Sequence, residues 1–203
     1  MRIGIIGSGN IGGTLTRLLS ALGHDVSVAN TRGAESLADL AAETGATAAT
    51  AQDAVAGADL VVLAVPLRAV PGLPDLGGKL VVDANNYYPG RDGQIAEIDG
   101  GTASSRWVAD QLGGARVVKA FNTIQWSHLL ERGRPAGEPG RIALPVAADD
   151  PAAKETVIGL VEALGFDAVD GGGLDDSHRQ EPGTAVYGTD LDAERARAAL
   201  AAT

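Results

Sequence analysis

The stretch that decides the fold is Arg2-Ile3-Gly4-Ile5-Ile6-Gly7-Ser8-Gly9-Asn10-Ile11-Gly12, which runs on into GTLTRLLSAL over residues 13–22. A short apolar run ends in glycines spaced G-x-G-x-x-G and opens at once into an amphipathic helical pattern. The order is therefore strand, tight turn, helix. Gly7 permits the turn, Gly9 lets backbone approach a pyrophosphate, and Gly12 lets the helix pack close to the strand. The helix start, with Ser8, Asn10 and Ile11 beside the glycines, offers unpaired N–H groups and a positive dipole end to phosphates. Glycine is common in this chain, with 28 residues, so the spacing alone would be weak. Its place between a strand and a helix carries the reading.

Working outward, short β-branched runs fall at residues 2–6, 25–29, 59–65, 79–83, 116–120, 142–147 and 167–169. Between them lie Ala/Leu-rich stretches with helical spacing, including 11–22, 34–43 and 151–164. Gly23, Gly45 and Gly165 each follow such a stretch and read as helix ends. Strands alternating with helices predict an α/β fold with a mostly parallel sheet, and the runs LVVLAV and LVVDA are continuously apolar, as strands buried on both faces are. The expected architecture is a Rossmann-type doubly wound sheet of order 3-2-1-4-5-6, extended by the strands near 142 and 167. Residues 1–130 form the dinucleotide-binding domain, and 131–203 a small C-terminal α/β extension packed on it. Residues 85–93 (NNYYPGRDG) and 131–140 (ERGRPAGEPG) read as loops. The tail over 191–202 reads as a helix that must dock to be stable.

Composition excludes several classes. The 203 residues carry a formal charge of −10 and no cysteine. The chain suits one domain or one with an appendage. Disulfides, thiolate catalysis and Cys-ligated metals are out, and three scattered histidines make no metal site. The acidic balance argues against nucleic-acid or anionic-membrane partners, and no apolar run approaches a membrane span. The expectation is a cytoplasmic protein with small-molecule partners.

The end of the second strand tells which dinucleotide. An NAD site usually places an acidic residue there to hold the ribose hydroxyls. This chain has Asn30-Thr31-Arg32-Gly33. Arg32 can pair with a 2′-phosphate, and Asn30 and Thr31 can hydrogen-bond it, which points to NADP. Other strand ends supply further candidates: Ala64, Val65 and Pro66 for ribose contacts, Asn85 after the run at 79–83, and Ala120, Phe121 and Asn122 at the end of the run at 116–120. Asn122 could bond the nicotinamide carboxamide; Phe121 is a candidate wall and equally a core residue. Asp83 is a candidate for holding the loop that follows it. No acid–base pair stands out. Lys119 reads as structural, and His128 is a candidate for the nicotinamide end. Without a proton donor, hydride exchange between two ring cofactors is favoured, because it chiefly needs two carbons held close.

GSGNIGGTL, VANTRG, DANNYYPGRDG, VVKAFNTI and EPGTAVYG occur in that order over residues 1–188. Together they resemble the NADPH-dependent reductases of coenzyme F420, a deazaflavin. The cytosolic reductase domains of the STEAP metalloreductases resemble this group too. The resemblance implies NADP on residues 7–12, its 2′-phosphate on Thr31 and Arg32, a deazaflavin near residues 120–122 and the C-terminal irregular segment, and a homodimer. Departures fall in the second half of the site: HRQEPG precedes the PGT element, and NNYYPGRDG is longer than the family's DATNP-type segment. A flavin, a metal chelate or a small carbonyl or imine therefore stays open as acceptor, as does a non-enzymatic NADP-sensing module. β-Hydroxyacid dehydrogenases are disfavoured, since they carry a long all-helical second domain and here two more strands follow.

Overall fold

The computed structural model describes residues 1–202. In chain order the strands and helices are β1 (Arg2–Ile6), α1 (Asn10–Ala21), β2 (Asp25–Ala29), α2 (Ala38–Thr44), β3 (Thr47–Ala48), α3 (Ala51–Ala56), β4 (Leu60–Leu63), β5 (Leu80–Asp83), α4 (Pro89–Asp92), α5 (Ala96–Asp99), α6 (Ser104–Gln111), β6 (Arg116–Lys119), α7 (Trp126–Glu131), β7 (Ala143–Ala148), α8 (Pro151–Ala163), β8 (Asp167–Asp170) and α9 (Ala193–Ala201). Three 3-10 turns, Ala34–Leu37, Leu67–Gly72 and Asp175–Gln180, fill connections. One eight-stranded sheet runs β3-β2-β1-β4-β5-β6-β7-β8. All neighbours are parallel except β6 and β7, whose register pairs Val118 with Ala148 and Lys119 with Ala147.

Alternation along the strands builds two cores. Ile3 and Ile5 of β1, Leu60 and Val62 of β4, Leu80 and Val82 of β5 and Val118 of β6 face one layer with Leu15 and Leu19 of α1 and Val157 and Val161 of α8. Ile6, Val61, Leu63, Val81 and Val117 face the other, with Val55 of α3 and Trp107 and Val108 of α6. Both faces are covered, which is why these strands read as unbroken apolar runs. Asp150 caps α8 by accepting from the amides of Ala152 and Ala153 at 2.9 and 3.1 Å. The tail helix α9 docks Ala196 and Leu200 onto Ala143 and Val169 of β7 and β8.

Several elements differ from the sequence reading. The helical stretch at 34–43 is a 3-10 turn followed by α2, and the short strand β3 lies beyond it. Residues 85–93 are not irregular throughout: they contain the turn α4 and are tightly bonded. The Tyr87 hydroxyl accepts from the Ile95 amide at 3.0 Å and donates to Asp99 at 2.9 Å. Arg91 donates to the Asn86 carbonyl at 2.6 Å, and Asp92 accepts from the Tyr88 amide at 3.0 Å. Side-chain bonds of this kind leave no periodicity in a sequence. Residues after 131 extend the same sheet through β7 and β8.

Beneath that loop lies a buried ion pair. Lys119 and Asp83 end adjacent strands with side chains 0% exposed and 3.2 Å apart. Asp83 also accepts from Ser105 of α6 at 2.6 Å and from the Asn85 amide at 3.0 Å, while Lys119 also donates to the Asn85 carbonyl. Removing one partner of such a pair strands the other charge in the interior, at a cost of about 3–5 kcal/mol. Lys119→Met is therefore expected to destabilise the protein by about that amount, and Ser105→Ala by about 1.5–3 kcal/mol for one bond to a charged acceptor. Urea unfolding of the two variants checks both values; a loss below about 1 kcal/mol for Lys119→Met would contradict the pairing.

Candidate functional site

The carboxyl ends of β1, β4, β5 and β6 open onto one side of the sheet, where ligands of doubly wound folds bind. Two cavities lie there. One, of about 550 Å³, runs from the glycine loop past Asn30, Thr31 and Arg32 to Leu73 and Pro74. The other, of about 470 Å³, runs from the glycine loop past Asn85 to Tyr88, Trp126 and Tyr187. Both are bounded by Gly9 and by Ala64, Val65 and Pro66, so they form two arms of one groove with the α1 start at the junction.

The three motif glycines differ in what requires them. Gly7 has φ +106°, and a Cβ there would stand 2.1 Å from the Ala64 carbonyl oxygen. At Gly12 a Cβ would stand 1.8 Å from the Gly7 carbonyl oxygen, so the helix could not pack this close to the turn. Gly9 is unlike both. Its backbone is extended, with φ −72° and ψ −165°, and a Cβ would meet nothing within 4 Å. Neither the conformation nor any described neighbour requires glycine there, and the free space faces the junction of the two arms. The first turn of α1 carries no acidic residue and Gly9 makes no side-chain cap, so its leading amides are open to an anion.

In the first arm, Asn30 is committed within the protein. Its Nδ2 donates to Ser8 at 2.8 Å and Ser36 at 2.9 Å, and its Oδ1 accepts from the Arg32 amide at 2.9 Å. Asn30 thus fixes the loop against the glycine turn and leaves Thr31 and Arg32 exposed. The Arg32 guanidinium makes no ion pair among the described residues, whereas Arg17 nearby is held by Glu43 at 2.6 Å.

In the second arm, the Lys119–Asp83 pair sets the position of Asn85. Its Oδ1 accepts from the Val65 amide at 2.7 Å, and its buried Nδ2 has no partner among the described residues. A buried donor left unpaired is costly and points to a ligand acceptor. Asn122 lines this arm as a structural hub. Its Nδ2 donates to Asn86 at 3.0 Å and to the Gln180 carbonyl at 2.7 Å, and its Oδ1 accepts from Gln180 at 2.9 Å. Phe121, at φ +62°, sits in the core with Ala120 rather than on the cavity wall, and turns the chain so that Asn122 and Thr123 face the 180–188 segment. The Thr123 carbonyl accepts from Gly188 there at 2.7 Å. His128 stands off the cavity, with Nδ1 2.7 Å from the Asp190 carboxylate.

Three side chains of this arm went unnoticed in the sequence. Trp126, 45% exposed, forms one wall. Tyr88 and Tyr187, far apart in the chain, bring their hydroxyls to 2.5 Å, and the Arg91 guanidinium stands 5.0 Å over the Tyr88 ring. Burial, reinforced by the bond to Tyr88, pushes the Tyr187 hydroxyl up to about 12, so it stays protonated near neutrality. Their signal was present only as the YY and YG of two loop motifs.

Residues 2–87 match the family described as NADP oxidoreductase coenzyme F420-dependent. The chain is 34% identical over 142 residues to the F420-dependent NADP reductase of Methanothermobacter thermautotrophicus, covering 64% of this chain and 59% of that protein. The chain is thus similar to F420-dependent NADP oxidoreductases over residues 2–87 and over 64% of its length, and it spans less than two thirds of the curated relatives it matches. It spans 43% of another curated relative, the Escherichia coli protein YjhV, at 44% identity over 59 residues. Among solved structures it superposes on a hypothetical protein, SMa0349, of Sinorhizobium meliloti with a TM-score of 0.80 and 34% identity, covering 94% of this chain and 95% of that one. A reductive aminase of Aspergillus terreus, in complex with NADPH4, cyclohexanone and allyl amine, shares the fold at a TM-score of 0.63 and 21% identity, covering 87% of this chain and 56% of that one.

The glycine geometry separates packing from binding. Gly12→Ala is expected to destabilise the fold by about 1–3 kcal/mol, as overpacking does, while Gly9→Ala is expected to cost only about the 0.5–1 kcal/mol by which alanine is worse than glycine at a helix N-cap. Scanning calorimetry on the two variants checks this; equal losses would mean that Gly9 too is needed for packing.

Proposed function

We propose that this protein is an NADP(H)-dependent oxidoreductase that moves hydride between NADPH and a planar deazaflavin of the F420 type. The observation that carries the cofactor half is Gly9: a glycine that the chain itself does not need, at the start of α1, where the two arms meet. In this reading the leading amides of α1 hold the pyrophosphate. Thr31 and Arg32 hold the 2′-phosphate in the first arm, on a loop that Asn30 keeps in place. Ala64, Val65 and Pro66 form the apolar shelf under the riboses, and Asn85 Nδ2 donates to an oxygen of the nicotinamide half. When bound, NADPH supplies the hydride. The flat walls that Trp126 and Tyr88 give the second arm suit an aromatic acceptor, which can stack on them.

The C-terminal extension completes the acceptor site through the 180–188 segment, since Tyr187 lies on it. A flavin would fit the same walls. Reduction of a small carbonyl or imine is the second reading, favoured by the paired tyrosine hydroxyls at the same end of the groove.

Two variants test the cofactor half. Gly9→Val is expected to abolish NADPH binding in a calorimetric titration while the protein remains folded, because its side chain occupies the pyrophosphate path. Arg32→Ala is expected to weaken NADPH by about 10–100-fold and NADH much less, as loss of one charge-assisted bond requires. Equal weakening of the two cofactors would remove the 2′-phosphate from Arg32.

A further inference from the structure

The second arm contains an ionisable set that the cofactor reading does not use. Of the residues lining it, three have side chains of an ionisable type: Tyr88, Arg91 and Tyr187. An arginine does not release its proton in a protein. The other candidates nearby are committed or displaced. Lys119 and Asp83 are sealed in their pair, and His128 faces Asp190 off the cavity. A proton reaching an acceptor from a side chain in this arm must therefore come from a tyrosine.

The two tyrosines are arranged in series. Tyr88, 38% exposed, stands at the mouth, while Tyr187 is half-buried on the 180–188 segment, which Gly188 ties to the Thr123 carbonyl. Two hydroxyls at 2.5 Å share one hydrogen between them, which leaves the other free for a third group. Either hydroxyl can donate within the pair, and in the arrangement where Tyr88 donates, the Arg91 charge over its ring polarises that O–H. Tyr187 then has its own hydrogen free to point into the cavity.

We infer that Tyr187 is the hydrogen-bond and proton donor to the acceptor, acting on the heteroatom that collects the electron pair displaced by hydride, and that Tyr88 connects it to solvent. The inference rests on the NADP reading above. Hydride adds to an electrophilic carbon of the acceptor, and the π pair of the conjugated C=N or C=O bond moves onto its nitrogen or oxygen. That atom forms a bond to the Tyr187 hydrogen as the Tyr187 O–H bond breaks. Tyr187 regains a proton from Tyr88, and Tyr88 from water. The acceptor class this selects is one with a C=N or C=O at the end of the hydride-accepting system. A deazaflavin ring and a simple cyclic imine both qualify.

The test uses the full chain with 5-deazariboflavin and with 1-pyrroline. In the unreactive complex with NADP⁺, Tyr187→Phe is expected to weaken 5-deazariboflavin by about 3–10-fold, as loss of one neutral hydrogen bond does, with NADP⁺ affinity unchanged. In single-turnover reactions from NADPH, Tyr187→Phe is expected to slow hydride transfer by about 10²–10⁴-fold. Tyr88→Phe is expected to slow it less and to alter the solvent deuterium isotope effect. Turnover of either acceptor within threefold of the parent in Tyr187→Phe would overturn the proposal. So would NADPH binding by the parent with no reduction of either acceptor. Failure of the parent to bind NADPH would instead bring down the cofactor reading, and this proposal with it.

Discussion

The Lys119–Asp83 pair is the constraint on which the groove depends. Two opposite charges, fully buried at the ends of neighbouring strands, can stay there only with their remaining bonding capacity met. The partners that meet it are Ser105 from α6 and both the amide and the carbonyl of Asn85. The backbone at Asn85 is therefore fixed from below. Its side chain in turn fixes the Val65 amide, so one ion pair sets the relative positions of the chain just after β4, β5 and β6. Those three strand ends are the floor of the second arm.

From that floor the two walls follow. Asn86 and Asn122 clasp each other, and Asn122 also holds the Gln180 carbonyl. The loop after β5, the turn after β6 and the C-terminal segment thus lock together, and Tyr88 and Tyr187 meet above them. The first arm is built more simply, by Asn30 bonding the glycine turn to the Arg32 loop. In this groove the protein bonds Asn30, Asn86, Asn122, Tyr88 and Tyr187 to itself. What it leaves unspent is informative: the start of α1, the Arg32 guanidinium, Asn85 Nδ2 and the space beside Gly9 all line the two arms of the groove.

Much of the fold was legible because it rests on period and punctuation. β-Branched runs gave seven of the eight strands within a residue or two, and the glycine spacing at residues 7–12 located the first turn. β3 escaped because two residues carry no period, and α6 because Ser104-Ser105-Arg106 masks its apolar face over a short span. Gly9, Thr31 and Arg32, named from the sequence, all line the first arm, because they lie in two short local motifs. The second arm was not. Its character comes from Tyr88 meeting Tyr187 and from Asp83 meeting Lys119, pairs joined only by the fold. Asp83 and Lys119 were each read as structural, but separately. His128 was sought at the nicotinamide end because it follows β6 closely, yet α7 turns it toward Asp190 instead.

The central claim is that the groove is built for NADP(H), with the 2′-phosphate as its discriminating group. Calorimetric titration of the parent protein with NADPH and with NADH, under identical salt, tests it most directly. The account predicts one NADPH bound per chain and NADH weaker by at least about tenfold, the equivalent of about 1.4 kcal/mol. Equal affinities for the two, or no heat from either, would contradict it.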